Sequence, residues 1–224
     1  MNHGDYILEL LKNHRKTERT ILLIRHSVRD SLRCVPQHLR EDVPITPEGI
    51  IHAEEFGRKL KTIAPKKPVL LGHTAPRRCR MTAESICRGY SSPDDARILG
   101  VVPDITSVIV DPHAFSALWE EMGWHTLIRQ WLSGKIPEDT VHNPHWYTDQ
   151  LLRKLVAVPA MKDTDLLVVV AHDVTIMPVL ASMMGTSLTS IDFLNGVVIS
   201  GDESGAEIRY ADSSHTLCGE WCPE

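Results

Sequence analysis

Short runs of consecutive apolar residues alternate along the chain with longer stretches in which apolar residues recur every three or four positions. The runs at 21–24 and 68–71 have the length of strands that are buried on both faces of a parallel sheet. Between them, the segment 46–49 (Thr-Pro-Glu-Gly) places an N-cap residue before a proline and predicts a helix that ends near Ile63. A second helix is predicted from about 77 to 88. This order of elements indicates a βαβ unit and therefore a parallel sheet.

The second half of the chain continues the pattern and contains one long insertion. Strands are predicted at 97–102 and 165–171, a helix at 174–184, and a closing hairpin between 191–200 and 206–210. The insertion, residues 104–159, is predicted to be mostly helical or irregular and to form a lid or a wall of a substrate site. No composition change marks a second domain, so we expect a single domain over residues 1–224.

The composition is that of an ordinary globular protein, with 42% hydrophobic and 24% charged residues. A formal net charge of -5 gives no reason to expect nucleic acid as a partner. No apolar run approaches the roughly 18 to 20 residues of a membrane span. The first 19 residues mix charges with a short apolar stripe and do not look like a secretory signal. We therefore expect a soluble, cytoplasmic protein without a membrane partner, whose oligomeric state stays open.

Five cysteines, an odd number without an export signal, indicate reduced thiols. Cys218 and Cys222 lie four residues apart near the C-terminus and could supply half of a zinc site. No second half with suitable spacing accompanies them, so a disordered or redox-silent tail is the preferred interpretation. His142 and His145 are a poor metal pair because Pro144 lies between them. We expect neither a metal nor a cofactor.

Cationic side chains follow the first predicted strand directly. The segment 25–29 (Arg-His-Ser-Val-Arg) lies at the C-terminal end of that strand, where open α/β sheets bind their ligands. Arg25 and Arg29 need an anionic partner there, because an unpaired buried charge is costly. A phosphate is a natural partner, since arginine can donate two parallel hydrogen bonds to its oxygens.

Two further polar segments follow predicted strands in the same way. Arg78 opens the segment 78–84 (Arg-Cys-Arg-Met-Thr-Ala-Glu), and His172-Asp173 follows the strand at 165–171. Because parallel strands end at one edge of a sheet, the three segments are expected to share one pocket. Taken singly they have simpler explanations: Arg77 and Arg80 are expected to face solvent, and His172-Asp173 could be only a helix N-cap. The conjunction of all three favours a catalytic site.

Together these segments resemble the histidine phosphatase superfamily, which includes phosphoglycerate mutases, histidine acid phosphatases and phytases. That family has an Arg-His-Gly motif after its first strand, a second arginine in Arg-x-x-x-[Thr/Ser]-Ala, and a second histidine near the C-terminus. Arg25-His26, Arg78 and His172 match these positions in order. The resemblance covers residues 20–185. It implies an α/β three-layer sandwich with a mostly parallel central sheet, the phosphoglycerate mutase-like fold, with the insertion as a small helical cap.

Two details are closer to the histidine acid phosphatase branch. Arg29 matches the third arginine of that branch, in Arg-His-Gly-x-Arg, and His172-Asp173 is similar to its His-Asp pair. The mutase branch takes its proton donor from a glutamate after the second arginine motif. Glu120 and Glu121 lie in that region, but their surroundings match the mutase pattern poorly. Asp173 is therefore the expected proton donor.

The resemblance also implies a role for each residue. His26 would be the nucleophile and would become a phosphohistidine, which splits one difficult displacement into two easier ones. Asp173, kept protonated by a dry site, would donate a proton to the leaving oxygen and then activate water. The phosphate oxygens would be held by four cationic or polar side chains. These are Arg25, Arg29, Arg78 and His172.

Ser27 is a departure, because the family has glycine at that position. Its hydroxyl could add a hydrogen bond to the phosphate, or its Cβ could crowd the site. The implied activity is a metal-independent phosphomonoesterase that acts on a small-molecule or protein phosphomonoester. Two alternatives stay open: a phosphomutase of the same fold, and a module that binds a phospho-ligand without turnover.

Overall fold

A computed structural model describes residues 3–12, 19–65, 68–90, 95–102, 105, 107–156, 158, 166–185, 188–202 and 205–218. Seven helices and seven strands are described, besides a short 3-10 turn at Gln37–Leu39. They are α1 (Asp5–Lys12), β1 (Arg19–Arg25), α2 (Pro47–Ile63), β2 (Val69–His73), α3 (Arg77–Tyr90), β3 (Ala96–Val101), α4 (Pro112–Met122), α5 (Trp124–Leu132), α6 (Pro144–Val156), β4 (Leu166–Ala171), α7 (Asp173–Met184), β5 (Gly196–Asp202), β6 (Gly205–Tyr210) and β7 (Ser213–Cys218).

The strands form one sheet in the order β3-β2-β4-β1-β5-β6-β7. The first four are parallel to one another, and β5, β6 and β7 continue the sheet in antiparallel pairs. Strand β4 lies between β2 and β1, so the C-terminal ends of these three strands are neighbours. The predicted fold class, an α/β protein with a mostly parallel central sheet and helices on both faces, is confirmed.

Two apolar layers cover the sheet because β4 is buried at every position and β1 at all but its two ends, and successive side chains point to opposite faces. Leu22 and Ile24 pack with buried residues of α1, α2 and α3. Ile21 and Leu23 face the other layer, to which α4, α5, α6 and α7 contribute. The helical insertion therefore supplies part of the core on one face of the sheet. Its predicted end residues, 104 and 159, lie outside the described residues.

Three features of the fold differ from the sequence-based expectations. The closing hairpin begins at Gly196 instead of 191, because residues 191–195 form an irregular turn in which Leu194 has a φ of 58°. The helix α1 was not predicted. Cys218 is not part of a disordered tail, since it is the last residue of β7, which pairs along its whole length with β6; the alternative of a redox-silent tail stays a prediction. Cys222 lies outside the described residues.

None of the helices in the described ranges combines the length and the apolar composition that a bilayer-spanning segment needs.

Candidate active site

The three predicted segments meet at the C-terminal edge of the parallel strands. Ala171 pairs with Arg25 across β4 and β1, and the backbone N–H of His26 donates to the Ala171 carbonyl at 2.9 Å. On the other side of β4, the N–H of Thr74 donates to the Val170 carbonyl at 3.0 Å. His26, Thr74 and the residue after Ala171 are therefore held at one edge by sheet hydrogen bonds. This register brings the residues that follow β1, β2 and β4 next to one another; that they form one catalytic pocket stays a prediction.

The His26 imidazole is buried, with 2% of the residue exposed. Its Nδ1 lies 2.8 Å from the carbonyl oxygen of Ser27. Because a carbonyl can only accept, this contact places the ring proton on Nδ1 and leaves a lone pair on Nε2. Burial, followed by the neighbouring His172 ring, lowers the pKa of His26 well below its usual value, although its hydrogen bond to Ser27 acts in the opposite direction. The lowered pKa favours the neutral form of the ring at neutral pH.

His172 lies beside His26, with their ring centroids 5.3 Å apart in an edge-to-face arrangement. Its Nε2 is 3.5 Å from the Thr74 hydroxyl and 3.5 Å from the Cys79 sulfur. Burial lowers the pKa of His172 well below its usual value, and Arg78, Arg29 and Arg25 lower it further. His172 is the N-cap residue of α7, but its side chain makes no capping hydrogen bond. The N-cap explanation therefore does not account for this imidazole.

Three guanidiniums surround the two imidazoles, and each is only partly paired. Arg78 donates from Nη1 to the Arg40 carbonyl at 2.7 Å, and Arg29 donates from Nη1 to the Asp30 carbonyl at 2.6 Å. Arg25 donates from Nη1 to the Ile191 carbonyl and packs over the Phe193 ring at 4.3 Å. The buried Nε atoms of the three arginines have no hydrogen-bond partner.

The three guanidiniums repel one another electrostatically. Burial lowers the pKa of Arg29 to about 10, and the neighbouring charges of Arg78 and Arg25 add to the effect. Burial also lowers the pKa of Arg78, against the opposing influence of Cys79, Glu41 and Asp173. Unsatisfied donors and adjacent cations in a buried site are stabilised by an anion that accepts several hydrogen bonds, and a phosphate group is such an anion.

Asp173, the expected proton donor, lies at the start of α7 and lines the same cleft as Arg25 and Arg29. Its Oδ2 is 3.3 Å from Arg25 Nη2, and its Oδ1 accepts a hydrogen bond from the Val174 N–H at 3.0 Å. Asp173 is therefore engaged as an ion-pair partner here, whereas the sequence-based expectation was a protonated acid in a dry site.

The glutamates considered as alternative donors lie elsewhere. Glu120 and Glu121 are exposed on α4, and neither of them lines this cleft. Arg77 and Arg80 are exposed at the start of α3, as expected for residues that face solvent.

Ser27, for which a hydrogen bond to phosphate or crowding of the site was considered, uses its hydroxyl within the protein. Its hydroxyl donates to the Gly49 carbonyl at 2.7 Å and is fully buried there. The backbone N–H of Ser27 donates to Thr82 Oγ1 at 3.0 Å, and that hydroxyl in turn donates to the Arg78 carbonyl at 2.8 Å. Since a hydroxyl has a single proton, the Ser27 side chain is committed to positioning the loop.

A cleft of about 570 Å³ opens beside this cluster. Arg25, Arg29 and Asp173 line one part of it. The remaining lining residues come from the segments that follow β1, from the junction of α4 and α5, and from the loop before β5. They are Ser31, Leu32, Arg33, Trp119, Met122, Gly123, Trp124, His125, Thr126 and Ser190. The insertion therefore forms a wall of the cleft, as predicted, and His125 lies in it.

Several site residues were not assigned from the sequence. Thr74, Phe193 and Arg40 contact the cluster from segments without a recognisable motif. Thr82 was visible only as part of the Arg-x-x-x-Thr-Ala pattern. Within the described ranges, no group of three or more His, Cys, Asp or Glu side chains is arranged to hold a metal ion.

No protein-family model matches the chain, and no curated protein matches it significantly. Solved structures do match. The YhfR protein of Bacillus stearothermophilus is 15% identical with a TM-score of 0.59, and the match covers 92% of this chain and 98% of that protein. A phosphoglycerate mutase from Bacillus anthracis is 12% identical with a TM-score of 0.57, over 84% of this chain and 91% of the mutase.

A proposed alpha-ribazole-5'-P phosphatase from Escherichia coli gives a TM-score of 0.54 at 15% identity, over 90% of this chain and 97% of its own. These likenesses do not bear on the acid phosphatase branch, which stays a prediction. At such identities they establish the architecture alone: the chain has the phosphoglycerate mutase-like fold.

Proposed function

We propose that the chain hydrolyses phosphomonoesters through a phosphohistidine on His26, without a metal ion. The observation that carries this proposal is a neutral, buried imidazole with its Nδ1 proton held by a carbonyl, beside three guanidiniums with unsatisfied Nε donors. The fold agrees with it, because the structurally similar proteins include a phosphoglycerate mutase and a proposed alpha-ribazole-5'-P phosphatase.

In the first step, His26 Nε2 attacks the phosphorus, and the bond from phosphorus to the leaving oxygen breaks. Arg25, Arg29, Arg78 and His172 hold the remaining phosphate oxygens, over which the charge of the transition state is spread. The guanidiniums are already fixed by backbone carbonyls, so little reorganisation is needed when the phosphate binds. In the second step, water attacks phosphorus, the bond to Nε2 breaks, and inorganic phosphate leaves.

Asp173 is the proposed proton carrier for both steps. In the free protein it is paired with Arg25. A bound phosphomonoester would compete for the Arg25 guanidinium, and the released carboxylate would take up a proton from water before the first step. The protonated group gives that proton to the leaving oxygen, and the resulting carboxylate then accepts a proton from the attacking water.

The experiment begins with hydrolysis of a panel of sugar phosphates, nucleotides, phosphopeptides and simple alkyl phosphates in the presence of EDTA. The best substrate is then radiolabelled, and the protein is quenched after a brief reaction. We expect acid-labile, alkali-stable phosphate on the protein, and its absence from His26→Ala. His145→Ala, which removes an exposed histidine of α6, is the matched control. Label that persists in His26→Ala would refute the assignment.

The alternatives give different results in the same assay. A phosphomutase would produce an isomeric ester without release of inorganic phosphate. A binding module would bind phosphate without turnover over a wide pH range.

The four residues proposed to hold the phosphate, Arg25, Arg29, Arg78 and His172, are called the phosphate clamp, and a separate experiment tests it. Arg78→Ala should lower kcat/KM on the order of 10²-fold or more, by analogy with the loss of one oxyanion donor. Arg80→Ala removes an exposed arginine of the same helix and should leave kcat/KM nearly unchanged. Equal effects of the two substitutions would show that Arg78 does not act on the phosphate.

A further inference from the structure

Two tryptophans form an aromatic wall in the cleft. Trp119 lies near the end of α4 and Trp124 begins α5, on either side of Gly123, whose φ of 77° turns the chain between the helices. Their ring centroids are 5.2 Å apart. The Trp124 indole N–H donates to the Thr189 carbonyl at 3.0 Å, and its ring contacts Phe115 edge-on with centroids 6.4 Å apart. The wall is therefore fixed before any ligand binds, which lowers the entropic cost of binding.

This aromatic wall lines the same cleft as Arg25 and Arg29, two of the four residues proposed to hold the phosphate. Arg25, Arg29 and Asp173 border one part of the cleft, and both tryptophans border another. Leu32 and Met122 add apolar surface to the lining. A volume of about 570 Å³ exceeds what a phosphate group alone would fill. The organic part of a phosphomonoester bound at the clamp would therefore extend along the aromatic wall.

Some polar groups next to the wall are already engaged by the protein, whereas Arg33, Thr126 and Ser190 add further polar side chains to the cleft lining. The only hydrogen-bond donor of the Trp124 ring is used by the Thr189 carbonyl, and His125 Nδ1 lies 2.8 Å from the Thr189 hydroxyl. The Arg40 guanidinium lies 5.3 Å from the Trp119 ring centroid, while Arg40 Nε donates to the Val35 carbonyl at 3.1 Å. The two tryptophan rings therefore offer a ligand apolar and aromatic surface.

We propose that the aromatic wall binds the leaving group and selects phosphomonoesters whose alcohol carries a flat aromatic ring, with Trp119 as a specificity-determining residue. This inference rests on the proposed function. Aromatic rings stack favourably on tryptophan and bury apolar area at the same time. A small polyol phosphate gains neither effect, because it has no ring to stack and little apolar area to bury.

The test compares ethyl, cyclohexylethyl and phenylethyl phosphate. All three are esters of primary alcohols, so the chemical step is the same and only the remote group differs. We expect kcat/KM for phenylethyl phosphate to exceed that for ethyl phosphate by roughly tenfold or more, with cyclohexylethyl phosphate in between. Trp119→Ala should abolish the preference for the ring. Trp146→Ala, which removes an exposed tryptophan of α6 that does not line the cleft, should retain it.

Failure of this inference can be told apart from failure of the proposed function. Equal kcat/KM for the three esters in the wild type would overturn the selection for aromatic groups and leave the hydrolase intact. If no ester is hydrolysed, binding of ethyl and phenylethyl phosphate to His26→Gln is measured by calorimetric titration. Tighter binding of the phenylethyl ester, lost when Trp119→Ala is added, would support the role of the aromatic wall. Equal binding of the two esters would refute it. Trp119→Leu keeps most of the side-chain bulk and replaces Trp119→Ala if that variant does not fold.

Discussion

The two buried imidazoles should make the stability of the fold depend on pH in a defined direction. Burial lowers the pKa of both His26 and His172 well below the ordinary value, so the folded protein keeps them neutral. In the unfolded chain both histidines have a pKa of about 6.5. Below that pH the unfolded state binds more protons than the folded state, and the free energy of unfolding must fall as the pH falls. Between about pH 7.5 and about pH 5.5, the free energy of unfolding should fall by about 1.4 kcal/mol for each histidine, or about 2.7 kcal/mol for the pair.

The assay is urea denaturation of the wild type, His26→Gln and His172→Gln across this pH range. Each variant should lose about half of the histidine-dependent change, or about 1.4 kcal/mol. Carboxyl groups titrate in all the proteins and cancel in the differences. His145→Gln, at an exposed position of α6, should behave like the wild type. If His26→Gln keeps the full pH dependence of the wild type, His26 is not a buried neutral imidazole, and the argument for its nucleophilic form fails.

Three further predictions follow from the clamp, the thiols and the helix packing. Inorganic phosphate at about 100 times its Kd should stabilise the fold by about 2.7 kcal/mol and raise Tm by about 5 to 11 °C. The Arg78→Ala variant should not show this increase in Tm. An unchanged Tm in the wild type would contradict the phosphate site. A thiol reagent should modify exposed Cys34 quickly and Cys79 only on unfolding, because burial raises the pKa of Cys79 to about 12; equal rates would refute this. Gly89 of α3 lies against α2, and a Cβ at this position would overlap the Glu54 carbonyl. Gly89→Ala should therefore lower the free energy of unfolding, measured in urea, by about 1 to 3 kcal/mol. An unchanged value would show that α2 and α3 separate easily.

The central strands could be predicted because burial on both faces leaves an uninterrupted apolar run. Strands β1 and β4 are buried at nearly every position, and both were predicted within a few residues of their ends. The edge strand β7 lacks such a signal. Its sequence is largely polar, and it joins the sheet through backbone hydrogen bonds to β6. Backbone pairing at a solvated edge leaves no apolar pattern in the sequence.

The residues of the candidate site also fall into those that could be predicted from the sequence and those that could not. Residues that directly follow buried strands, such as His26 and His172, could be placed because the topology brings strand ends together. Phe193 and Arg40 could not be placed in this way. Each contacts an arginine of the clamp from an irregular segment, one packing under Arg25 and the other offering a carbonyl to Arg78. Contacts of this kind depend on the folded path of loops, which no periodicity encodes.

Ser27 shows how a departure from a familiar motif can support the site. Its hydroxyl fastens the loop after β1 to the first turn of α2, through the Gly49 carbonyl. Its N–H fastens the same loop to α3 through Thr82, which also bonds to the carbonyl of Arg78. One continuous set of hydrogen bonds thus joins the residue that follows His26, the proposed nucleophile, to Arg78, a proposed phosphate ligand. Because the Gly49 carbonyl satisfies the Ser27 hydroxyl within the protein, serine at this position supports the loop that carries His26, the proposed nucleophile.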